Sequence, residues 1–147
     1  MDELKAIRGY VSPTYTRKLM PTYEREHREL ATPSVHEIIE VADETPSVMT
    51  FYIECEDETI KRIRPGNFFM VWVPFTTDGR IVPKRTGEKP ISISDSASGA
   101  VAISVRNVGA VTNELFNYRP GMKVGLTGPL GNGFGGQGEK VLLVGGG

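Results

Sequence analysis

Two short segments, separated by one strand-like run, carry residue types that together could grip a nucleotide. Lys89-Pro90-Ile91-Ser92 closes a polar stretch and opens a β-type run. A strand end offers backbone N–H groups at fixed spacing, Ser92 adds a hydroxyl, and Pro90 stiffens the approach without donating a hydrogen bond. Lys89 can neutralise a phosphate or an anionic ring. The second segment, Gly109-Ala110-Val111-Thr112, opens a helix-like stretch. Gly109 lets the backbone come close to a ligand there. Val111 and Thr112 fall in a first turn whose N–H groups lack intrahelical acceptors and whose positive end favours an anion.

Each segment also has a plain structural explanation. The first is equally a proline-led strand with one exposed lysine, and the second an N-capped surface helix with Thr112 serving the cap. As a pair they suit one ligand with two halves: a flat ring against strand backbone and a phosphate at a helix start, as in a flavin nucleotide. Other chemistry is poorly supplied. His27 and His36 lie outside both segments, with no neighbouring metal set or nucleophile–base pair. Cys55, the only cysteine, sits between Glu54 and Glu56, where negative charge opposes thiolate formation. Trp72 is expected in the core, and Tyr52 either stacks on a ring or is an ordinary strand residue.

The elements that must position these residues are mostly strands. Val35–Val41, Val48–Ile53, Phe68–Val73, Pro90–Ser94, Ala100–Val105 and Val124–Thr127 are short runs rich in β-branched and aromatic residues, bounded by turn signals. Six such strands with short connections favour a closed or nearly closed antiparallel barrel over a sheet with bare edges. Thr112–Tyr118 is the one short helix expected among them. Phe75–Glu88 reads as a long basic loop carrying Arg80, Lys84 and Arg85, or, through Asp78-Gly79, as an extension of the hairpin. It is solvated, or it covers a phosphate or a partner. Residues 1–33 form a proline-broken polar arm, with a short charged helix expected over Tyr23–Leu30. Gly128–Gly138 is a glycine-dense connector. Val141–Val144 followed by Gly145, Gly146 and Gly147 matches the first strand and phosphate turn of a dinucleotide-binding domain whose remainder is absent. That apolar run is expected to be disordered or buried against another molecule.

Composition bounds the rest. In 147 residues, 17 basic side chains against 18 acidic ones leave a formal charge of −1, with no global field for nucleic acid or an anionic membrane. No apolar run is long enough to span a bilayer and the charged start has no signal-peptide core, so a cytoplasmic location is expected. One cysteine excludes an internal disulfide, or an iron–sulfur site built from several thiolates of this chain.

In order along the chain, Phe68–Pro74, Glu88–Ser94, Gly109–Thr112 with Leu115, and Gly128–Phe134 resemble the electron-transfer subunit of NAD-linked dihydroorotate dehydrogenase, within the wider ferredoxin–NADP reductase-like group. The resemblance runs from about Ser34 onward. It implies a mainly β fold: an FAD-binding Greek-key barrel over 34–138, followed by the start of an NAD-binding α/β domain over 139–147. It further implies an NAD(H) site and a [2Fe–2S] cluster in the complete protein, and electron exchange in pyrimidine biosynthesis with an FMN-containing catalytic subunit in an oligomer. By position, Lys89, Pro90, Ile91 and Ser92 would contact the flavin and its ribityl or phosphate part. Gly109, Val111 and Thr112 would hold the pyrophosphate, and Gly145–Gly147 would begin the nicotinamide-nucleotide site. Three departures stand out. Lys89 replaces the arginine common in the family, keeping charge but losing the planar fork. The basic stretch before Glu88 is longer than in close relatives. The nucleotide domain and cluster cysteines are missing, so the chain would be the flavin half of such a reductase. The alternatives are the flavin subunit of a ferredoxin–NADP or hydrogenase-linked reductase, and a flavin-free barrel that serves assembly.

Overall fold

A computed structural model describes residues 33–134 with Leu142 and Val144, leaving aside the side chains of residues 85 and 86. The expected Tyr23–Leu30 helix and the Gly145–Gly147 turn lie outside the described residues, as do the arm before Pro33 and the connector after Phe134. Of the C-terminal apolar run only Leu142 and Val144 are described, and both are exposed.

The strands are β1 (Ser34–Thr45), β2 (Val48–Glu54), β3 (Phe68–Thr77), β4 (Arg80–Ala97), β5 (Ala100–Arg106) and β6 (Lys123–Leu130). They close as an antiparallel barrel in the order β1-β2-β5-β4-β3-β6, the Greek-key crossing that the sequence implied. Alternation fills it from five strands: Ile38, Phe51, Ile53, Phe69, Val71, Val73, Val101, Ile103, Val105, Val124 and Leu126 form one buried cluster, with the half-buried Ile91 and Ile93 of β4 packed against it. Each such side chain contributes on the order of 1.5–3 kcal/mol of burial.

Among the described residues two helices occur, α1 (Asp57–Ile60) and α2 (Ala110–Leu115). Only one was expected, and α2 starts two residues earlier and ends three earlier than Thr112–Tyr118. Four residues carry too little periodicity for α1 to be legible. It exists because Asp57 Oδ1 accepts the Gly99 N–H (3.1 Å), pinning the chain after β2 to the β4–β5 turn. Helix α2 buries Val111 and Leu115 in the barrel cluster, and Tyr118 joins them from the following turn.

Strands β3 and β4 run well past the barrel. The segment expected chiefly as a loop is a two-stranded ribbon, with Pro74↔Pro83, Phe75↔Val82, Thr76↔Ile81 and Thr77↔Arg80 in register. Its turn residues Asp78 (φ 48°) and Gly79 (φ 72°) both adopt positive φ, which matches the right-handed strand twist of a tight hairpin.

Trp72 is buried, as expected, though it stands apart from the main core cluster. It alternates with the inward-facing Val71 and Val73, so it lies on the outer face of β3. Its ring occupies the space over Gly125 of β6, and its indole N–H donates to Thr127 Oγ1 (3.3 Å).

Candidate functional site

Strand β4 changes partner part-way along. Arg80 to Pro83 and Glu88 to Ser92 pair with β3, across a register shift at residues 84–87, whereas only Ile93 and Asp95 to Ala97 pair with β5. Beyond Ile93↔Ile103, β5 continues to Arg106 paired with β2 alone. The barrel wall therefore parts between the Lys89–Ser92 stretch of β4 and the last residues of β5. The ladder also sets which backbone groups face that opening. Ile93 N–H donates to Asn67 O (3.1 Å), placing 93, and by alternation 91 and 89, in hydrogen-bonded pairs with β3. The N–H of Ser92 and the C=O of Pro90 then turn away from β3, while the Ser92 C=O is drawn into the Ile93↔Ile103 pairing with β5. Lys89, Pro90 and Ser92 are exposed, while Ile91 is half-buried and packs against the core. The exposed edge is a rim of main-chain polar groups with a cation at one end.

Helix α2 packs against β3 and β4. Extending the β4–β5 register would bring Arg106 opposite Pro90, and α2 starts four residues later. Near its other end, Glu114 accepts a hydrogen bond from Lys84 of β4. Helix α2 is thus tied to the ribbon end of β4, and the two sequence-predicted segments lie on packed neighbours, β4 and the amino end of α2.

At that amino end the residues play unequal parts. Thr112 is buried, and its hydroxyl is committed within the chain: Oγ1 accepts the N–H groups of Val108 (3.1 Å) and Gly109 (2.9 Å) and donates to Gly109 O (3.0 Å). Of the two uses expected for it, the cap is the one the geometry supplies. The turn offers an anion main-chain N–H groups rather than this hydroxyl. Gly109 is the reverse case. Its φ of −169° is extended backbone open to any residue, and an added Cβ would meet no atom within 4 Å. Nothing in the fold demands glycine there, and the space in front of it is open.

Sequence reasoning missed Asn67. It is buried, its Oδ1 accepts the Arg64 N–H (2.7 Å), and its Nδ2 donates to Leu130 O (3.0 Å) and Gly131 O (2.9 Å). With its carbonyl on Ile93, it sets the point where β4 leaves β3 for β5. A lone Asn after Pro65-Gly66 carries no sign of this beyond a turn.

Among the titratable groups, burial pushes the Glu88 carboxyl up; the residue pairs with Trp72. The Cys55 thiol is pushed up by burial, with Glu56 adding, in line with an inert buried cysteine. His36 is structural: its Nδ1–H donates to Glu54 O (3.0 Å), so Nε2 accepts from Ser34 Oγ (2.6 Å). Tyr52 sits on β2 between β1 and β5, away from the opening. No group of three or more His, Cys, Asp or Glu able to hold a metal occurs among the described residues. No helix among them is long and apolar enough to cross a membrane.

No family model matches the chain. Curated relatives do. The chain is 38% identical over 117 residues to a probable dihydroorotate dehydrogenase B (NAD(+)), electron transfer subunit, of Methanothermobacter thermautotrophicus, covering 78% of this chain and 39% of that protein. It is 34% identical over 110 residues to the protein of that name in Methanocella arvoryzae, covering 75% and 36%. This barrel is homologous to part of the dihydroorotate dehydrogenase B electron transfer subunits. The chain spans about two fifths of the length of these relatives. Among solved structures, the barrel of this electron-transfer-subunit relative superposes on an NADH-dependent reduced ferredoxin-NADP oxidoreductase with TM-score 0.56 at 25% identity, covering 69% of this chain and 34% of that one. A ferredoxin NADP+ reductase from Neisseria gonorrhoeae, solved with bound FAD and NADP, gives TM-score 0.53 at 18% identity over 71% and 39%, a likeness of fold alone. The ferredoxin reductase-like architecture expected from the sequence is the one present.

Proposed function

We propose that the barrel binds FAD in the β4–α2 opening and serves as the flavin module of a dihydroorotate dehydrogenase-type reductase. One observation supports this: the β4–β5 ladder ends beside Lys89–Ser92, and α2 packs against β3 and β4. A ligand with a flat ring and a pyrophosphate meets both halves of its chemistry there. The fit comes from the donors. The Ser92 N–H and hydroxyl face the ring, with Pro90 and Ile91 shaping the rim. Lys89 is the cation for the ribityl phosphate. The open space at Gly109 and the N–H groups of Val111 and Thr112, which have no carbonyl four residues back within the helix, take the pyrophosphate.

Held by these residues, FAD would supply hydride acceptance and single-electron release. The chain's own residues bind and orient the cofactor and tune it through hydrogen bonds. No side chain of the opening is asked to act as an acid or base. In the complete protein, 34–138 is the FAD domain and 139–147, with Gly145, Gly146 and Gly147, begins an NAD(H)-binding domain. A [2Fe–2S] cluster and an FMN-containing catalytic subunit would complete electron transfer in pyrimidine biosynthesis, in an oligomeric assembly. A ferredoxin–NADP-type role is the second reading, favoured by the 25% identity to the NADH-dependent reduced ferredoxin-NADP oxidoreductase.

The test is a fluorescence titration of FAD into the purified full chain, with the visible spectrum recorded before and after. Saturable quenching with a yellow, dialysis-resistant preparation is expected. A colourless protein that leaves FAD fluorescence unchanged would point instead to a barrel used only for assembly.

A further inference from the structure

We infer that the Lys84–Glu114 ion pair is a positioning device for the cofactor site, setting the distance between the β4 rim and the α2 turn. The inference rests on the FAD reading above. Lys84 lies on the β4 ribbon and Glu114 on α2, thirty residues apart in sequence. Where this pair sits, α2 rather than β5 lies beside β4, and the β4–β5 ladder that would otherwise set the spacing has ended. The apolar underside of α2, Val111 and Leu115, packs the helix onto the barrel cluster, and the ion pair adds a directional tie to β4. A charge pair between fixed backbones selects a register.

The surroundings suit such a role. Both side chains are partly shielded, at 38% and 29% exposure, so their attraction is screened less than that of the pair Lys61–Glu58 at 68% and 80%. The buried Tyr118 lies close enough to feel both charges: burial raises its phenol, Glu114 raises it further and Lys84 lowers it. The hydrogen bond to Glu114 in turn holds the Lys84 ammonium above its ordinary range. Three groups from the ribbon, the helix and the turn after it therefore meet at one end of α2. The other end carries Gly109–Thr112. Loss of the pair leaves both half-sites intact but frees one to slide relative to the other.

That separation defines the experiment. FAD spans both half-sites, whereas riboflavin, lacking phosphates, uses only the β4 rim. Fluorescence titrations with FAD and with riboflavin would be run on the wild-type chain, Lys84→Glu, Glu114→Lys and the double swap. Each single reversal should weaken FAD about five-fold, the size of effect a partly shielded pair supports, and leave riboflavin unchanged. The double swap should return FAD affinity to within two-fold of wild type. FAD binding unaltered in the single variants, a parallel loss of riboflavin binding, or no rescue in the swap would each overturn the positioning role. Wild-type protein that binds neither flavin would instead refute the FAD reading itself, a result separable from the other three.

Discussion

Replacing Thr112 by valine keeps the side chain's volume and removes its oxygen, so the loss can be worked from three hydrogen bonds. The Val108 and Gly109 N–H groups lose their acceptor and the Gly109 carbonyl loses a donor. Val108 is exposed and its amide can turn to water, whereas Gly109 is half-buried. One poorly solvated amide costs roughly 1–3 kcal/mol, and loss of a capping hydroxyl about 0.5–2 kcal/mol, so a combined loss near ~2 kcal/mol is expected. In a barrel of this size that lowers the melting temperature by roughly 8–16 °C. Thr112→Ser keeps the oxygen and gives up one buried methyl, about 0.8 kcal/mol. Thermal melts followed by near-UV circular dichroism, with FAD titrations on the folded proteins, separate the two. The valine variant should melt well below the serine variant and bind FAD more weakly, because the turn is no longer held. Equal melting temperatures for the two would refute the assignment of Thr112 as the fastener of this turn.

Gly109→Ala should fold with an unchanged melting temperature, since its Cβ enters open space, yet weaken FAD binding several-fold if the pyrophosphate fills that space; unchanged FAD affinity would count against it. Gly125→Ala should do the opposite. Its Cβ would lie 2.0 Å from the Trp72 ring, an overlap expected to cost about 3 kcal/mol or more in urea denaturation, partly recovered by adding Trp72→Phe. His36 gives a pH signature. Burial, the largest influence, lowers its folded-state value despite Glu54 and Glu56, so the unfolded chain takes up its proton first. Stability should fall as pH drops below about 6.5, level off once the folded state also protonates, and lose that component in His36→Gln. A pH profile identical in the variant would remove His36 from the account.

The six strands were legible because Val, Ile and aromatic residues gather in short runs between turn residues, and the family resemblance of the ordered motifs implied the Greek-key closure. Strand ends were less legible. Thr76, Thr77 and Arg80 pair through their backbones at the ribbon tip, where the side chains carry no apolar alternation to mark a strand. Trp72 looked like a core residue because size and burial go together. Only its alternation with Val71 and Val73, and the missing side chain of Gly125, place it on the outside. Both halves of the candidate site were visible as segments, but the end of the β4–β5 ladder beside the first was not. That end lies next to Ile93, which donates to the carbonyl of Asn67, itself held by partners 63 and 64 residues away. The committed hydroxyl of Thr112 was one of two uses its position allowed, and three short-range hydrogen bonds decide between them.

The most direct test of one cofactor shared by two segments is amide hydrogen exchange on the full chain, with and without saturating FAD. The account predicts slowing in peptides spanning residues 89–92 and 108–112 together, with β1 and β2 unchanged. Saturable FAD binding that protects only one of these segments, or a surface remote from both, would contradict it.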